Sequence, residues 1–100
     1  MAALTGTLAY STPLASKRII IITTGAPTTA SDTVTLTLAS HGIRTIYAII
    51  PSIKTGQDAD CASIYATFSG LAITLVTLNA AGGNATDWTS VTTQLVIIGD

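Results

Sequence analysis

The chain has 100 residues, with four basic and five acidic side chains and a formal net charge of −1; this is the length of one ordinary domain, able to bury a core without disulfides or a metal. Charged residues make up only 9% of it, against about 25% in a typical globular domain, and no basic cluster exists beyond Lys17-Arg18, which argues against nucleic acid as a partner. Cys61 is the single cysteine, so an intrachain disulfide is excluded and the residue reads as a small buried hydrophobe.

In chain order, strands are expected where apolar residues alternate or β-branched runs stand between turn residues. Residues 4–10 alternate loosely around Gly6 until Ser11-Thr12-Pro13 breaks them, so residues 1–16 read as an N-terminal arm or edge strand. Residues 18–24 carry four consecutive Ile, a strand covered on both faces and ended by Gly25-Ala26-Pro27. Residues 33–38 have the cleanest period of two, with Val34, Leu36 and Leu38 opposite Thr33, Thr35 and Thr37. After Ser40-His41-Gly42, residues 43–50 form a strand apolar on both faces that stops at Pro51. Residues 54–60 are a polar loop. Residues 62–68 and 71–78 are strands joined by a hairpin turn at Ser69-Gly70. A Gly-containing loop over 79–84 precedes Asp87-Trp88, and residues 92–98 form the closing strand.

Six to seven strands at this spacing predict a single all-β domain over 1–100, an antiparallel β-sandwich or small barrel. The one helical alternative, residues 58–68, is too rich in β-branched and aromatic residues to be preferred. The start of the chain lacks the positive segment of a signal peptide. The apolar run 19–22 falls far short of the ~20 residues that cross a bilayer. Folding in a cytoplasm, with no membrane partner, is the expectation.

Chemistry-bearing residues are few. His41 is the only conventional base; it sits in a turn with no Gly-x-Ser-x-Gly elbow anywhere, so no nucleophilic triad is expected. Asp32, Asp58, Asp60, Asp87 and Asp100 all stand in turn-like sequence, where Asp bonds its own backbone, and no carboxylate pair for glycoside hydrolysis is apparent. Asp58-Ala59-Asp60 lacks the mid-loop Gly and closing Glu of a helix-flanked calcium loop. One Cys and one His cannot make a zinc site, and no Gly-rich loop with Lys cradles a phosphate. Asn84-Ala85-Thr86 matches a glycosylation acceptor, which without export is chance. No catalytic, cofactor-binding or metal residue is therefore assigned, and neither a cofactor nor a small-molecule substrate is expected.

Phe68 and one or two of the Tyr are expected in the core. Tyr10 and Trp88 stand between core edge and interface, since Trp and Tyr anchor interfaces. With mean hydropathy +0.60 and so little charge, much of the surface is expected to meet other subunits. Leu4, Leu8, Tyr10, Ile50, Ile53 and Trp88 are the candidate contact residues.

The layout as a whole, with an N-terminal arm, Ser16-Lys17-Arg18 leading into the Ile run, the Thr-rich strand over 32–38, His41-Gly42-Ile43-Arg44-Thr45-Ile46 and the closing Val96-Ile97-Ile98-Gly99-Asp100, resembles the head decoration (cement) proteins of tailed bacteriophages. The resemblance spans most of the chain and is one of layout. It implies a β-tulip or jelly-roll-like domain, commonly a homotrimer, seated on major capsid protein at capsomer junctions on the virion surface, with no catalytic or cofactor residues. A carbohydrate- or receptor-binding β module of a phage fibre or tail is the alternative function, and a small β-fold enzyme a further one.

Overall fold

The computed structural model describes residues 2–25, 27, 31–88 and 91–100. The described residues form eight strands and one short helix: β1 (Ala2–Leu4), β2 (Gly6–Leu14), β3 (Lys17–Thr24), β4 (Ser31–Thr35), α1 (Leu38–His41), β5 (Ile46–Thr55), β6 (Ser63–Ser69), β7 (Ala72–Leu78) and β8 (Thr92–Gly99). They form two four-stranded sheets, β1-β4-β7-β6 and β2-β3-β8-β5. All pairings are antiparallel except β1 with β4. The sheets pack as a sandwich, as the spacing of the turns implied; the strand count is eight, not six to seven.

The extra strand comes from the N-terminal segment. β1 lies at the edge of one sheet and β2 at the edge of the other, so the chain changes sheets at Thr5. Gly6 makes the change possible, because a Cβ there would stand 2.8 Å from both Ile22 Cγ2 and Val34 Cγ1. The segment is no free arm: β2 pairs with β3 from Gly6↔Thr24 to Leu14↔Lys17, with one bulge between Leu8 and Tyr10.

Pro13 and Pro51 do not end their strands as expected. β2 runs on to Leu14 and β5 to Thr55. Both are edge strands, where a missing N–H is tolerated. The Thr33–Leu38 alternation holds only to Thr35, after which the chain turns into α1; Leu36 is still buried, while Leu38 is exposed. Thr37 caps the helix, its side chain accepting from the Ser40 amide. Residues 43–45 are likewise outside β5, because Arg44 and Thr45 donate their amides to the Asp100 carbonyl. The breaker Gly25-Ala26-Pro27 falls partly outside the described residues.

The core joins the facing sides of both sheets. Ile20, Ile22, Leu95 and Ile97 meet Val34, Ile73 and Leu75, and Leu36, Ile43 and Ile46 close one end. Strict alternation in β3, β7 and β8 places these residues; burying a side chain of this size stabilises by about 1.5–3 kcal/mol. A smaller apolar cluster of Cys61, Ala85 and Val91, flanked by Ile53 and Trp88, fills the opposite end beneath the loops. The molecule measures 40 × 21 × 19 Å.

Candidate interaction surface

Because strand partners share a face, register reads out what each sheet presents to the exterior. Across the β2-β3-β8-β5 sheet, Tyr10, Ile21, Val96 and Ile50 stand in one row, and Thr12, Ile19, Ile98 and Ala48 in the next. These rows point away from the core, whose residues occupy the alternate positions. Tyr10 is 57% and Ile50 61% exposed, while Ile19, Ile21, Val96 and Ile98 are half-buried by their neighbours. The row beyond, Thr7, Thr23, Gln94 and Ser52, is polar. The other sheet differs: its outer rows are Thr33, Thr74 and Thr67, then Thr35, Ala72 and Ser69, then Ser31, Val76 and Tyr65. One exterior face is thus oily and the other is covered mainly by hydroxyls.

The six contact candidates are divided by the fold. Tyr10, Ile50 and, at the β2 edge, Leu8 are exposed. Leu4 packs against the main core, and Ile53 and Trp88 against the smaller cluster. The Trp88 indole donates to Thr77 Oγ1 at 2.9 Å, which anchors the ring at the core edge. Phe68, Tyr47 and Tyr65, expected in part as core, are all exposed. Ile19, Ile21, Val96 and Ile98 escaped sequence reading as surface residues, since continuous apolar strands look alike whether a second layer or solvent covers them.

The chemistry-bearing residues serve structure. His41 is the last residue of α1 and is buried; its Nδ1 accepts from the Thr37 amide at 3.0 Å, so Nε2 carries the proton and donates to the Gly6 carbonyl at 2.7 Å. The ring straps the helix to the point where the chain changes sheets. Although His41 lines a shallow depression of about 340 Å³ with Leu4, Thr35 and Ser40, neither ring nitrogen is available as a base. Cys61 is fully buried, and burial, followed by the Asp58 carboxylate, pushes its thiol above the ordinary range. Asp58 Oδ1 accepts from the Asp60 and Cys61 amides, a self-bonded turn. Asp32 departs from its expected turn, lying buried within β4.

At one end of the molecule, where Arg18 and Ile46 both pair with Gly99, an open depression of about 510 Å³ is lined by Lys17, Arg18, Arg44 and Asp100 together with Pro13 and Leu38. Arg18 donates to Ser11 Oγ at 3.0 Å. The Lys17 ammonium lies 4.6 Å from the centre of the Tyr47 ring, and the Tyr47 hydroxyl donates to Asp100 Oδ2 at 2.8 Å. That bond first, then desolvation and the carboxylate's charge, holds the Tyr47 phenol above its usual pKa. Comparison with protein-family models, with curated proteins and with solved structures finds no match.

Proposed function

We propose that this protein is a non-enzymatic structural subunit of a virion, a capsid decoration or cement protein, and that the oily outer face of the β2-β3-β8-β5 sheet is its contact surface. The observation that carries the reading is the pair of apolar rows running through Tyr10, Ile21, Val96 and Ile50 and through Thr12, Ile19, Ile98 and Ala48. Monomeric proteins seldom leave a contiguous apolar face to water. A chain with nine charged side chains in 100 residues has little else to keep it dispersed. The self-contained bonding of His41 and the closed environment of Cys61 support a non-catalytic role. In this reading the chain folds in the host cytoplasm, assembles as a homotrimer and seats on major capsid protein where capsomers meet. Many copies then add up small buried areas at about 25 cal/mol per Å².

The test pairs light scattering on the purified chain with binding to undecorated particles. The parent should form a discrete oligomer and occupy the particle. Ile50→Asp, which buries an unpaired charge at the contact, should cost about 3–5 kcal/mol, more than about a hundredfold in affinity, with the melting temperature nearly unchanged. A parent that stays single at high concentration and ignores the particle would overturn the reading, as would an Ile50→Asp variant that binds normally.

A further inference from the structure

Nine charged side chains are few enough to place one by one, and the fold sorts them along its 40 Å axis. Three of the four cationic side chains, Lys17, Arg18 and Arg44, line the depression at the Gly99 end, together with the side chain of Asp100. The far end is marked by the pairs Thr24↔Thr93 and Thr55↔Thr92. There the loops 56–62 and 79–88 are knit together, the Ala80 amide donating to the Ala59 carbonyl at 2.9 Å and the Thr86 amide to the Asp60 carbonyl at 3.1 Å. These loops carry Asp58, Asp60 and Asp87, with Lys54 the one nearby cation. Asp32 is buried in between. Counted by side chains, one end therefore has three positive against one negative, and the other three negative against one positive.

We infer that the two ends are complementary docking surfaces, and that the basic depression receives the acidic loop pair of a second copy of this chain, stacking copies head to tail. Charge complementarity selects the occupant. The depression is open, while the paired loops are largely exposed at the opposite pole. The two poles of one molecule lie farther apart than the ~8–10 Å over which salt screens charge at physiological strength, so they do not neutralise each other within a chain. Between copies in contact they do. Such a contact is heterologous: each copy uses a different surface from its neighbour, so the series either closes into a ring or continues as a filament. The oily sheet face is not involved, and the inference stands apart from the proposed capsid role.

The experiment uses two full-length variants, each with one pole neutralised. Arg44→Glu cancels the basic pole and Asp60→Lys the acidic one. Both are made with Ile50→Thr to weaken sideways association, and sedimentation velocity is run at about 10 mM and about 500 mM salt. With both poles intact, the Ile50→Thr chain should associate at low salt and lose at least about tenfold in association constant at high salt. Each pole variant alone should stay single. An equimolar mixture should form a one-to-one complex and stop there, because each partner retains one usable pole. If a variant melts well below its parent, Lys17→Glu, or Asp60→Asn together with Asp87→Asn, takes its place, each again leaving its pole balanced. Association that ignores salt, pole variants that still self-associate, or a mixture that fails to pair would each overturn the inference.

Discussion

Gly99 shows how a single hydrogen atom in place of a side chain can fasten the end of a strand. A Cβ at this position would lie 2.2 Å from the Thr45 carbonyl oxygen and 3.2 Å from two Ile43 carbons. The close approach lets the Asp100 amide reach that same carbonyl, while Arg44 and Thr45 donate back to the Asp100 carbonyl. The obstacle is backbone and cannot swing aside, so Gly99→Ala should destabilise by about 1–3 kcal/mol, measured by urea denaturation; an unchanged midpoint would show that the strand end simply moves. Cys61 yields a pH prediction. Its folded-state thiol titrates higher than in the unfolded chain because burial and then Asp58 disfavour the thiolate. The stabilising contribution is whole below the ordinary thiol pKa of about 8.5 and fades as pH rises above it, since only the unfolded chain then readily loses its proton. Between about pH 8 and pH 10 the denaturation midpoint should therefore fall more for the parent than for Cys61→Ala. Equal slopes would mean the thiol is not shielded.

At the scale of elements, the N-terminal strands decide how the molecule can be dissected. β2 contributes Gly6, Leu8 and Ser11 opposite Thr24, Ile22 and Ile20, whose side chains are buried, and the Gly6 carbonyl is the His41 acceptor. Removing residues 1–16 should collapse the near-ultraviolet circular dichroism and render the chain prone to aggregate. A shortened chain that keeps a cooperative melt would show the segment to be dispensable. The sheets themselves were largely legible: the alternation in β4, the β6-β7 hairpin and the closing β8 follow from period and turn residues. Two of the misreadings came from proline, which as a local signal stops a strand, yet Pro13 and Pro51 stand on edge strands, where a missing N–H is tolerated. The four-residue helix carried no periodic signal; Thr37 reaching Ser40 and the buried His41 hold it, and one turn is too short for an amphipathic pattern.

For the whole molecule, composition alone anticipated an exterior in need of partners, but not which face. That information lies in register. Ile21 and Ile22 are neighbours in an unbroken apolar run, and only the pairing of Ile22 with Leu95 and of Ile21 with Val96 assigns one to the core and the other to the outside. The sorting of charge to opposite poles was equally hidden, since Arg18, Arg44 and Asp100 are distant in sequence and meet only when β3, β5 and β8 align.

The order of that sheet places β2 and β5 on its two flanks, and each flank contains a proline, Pro13 and Pro51. A neighbouring polypeptide seeking to continue the ladder would find a donor missing on whichever border it approached. Along this sheet, crowded copies are thereby steered away from the ribbon-like growth that leads to amyloid. What its oily face leaves open is recognition by side chains, which, unlike main-chain pairing, can tell the right partner from the wrong one.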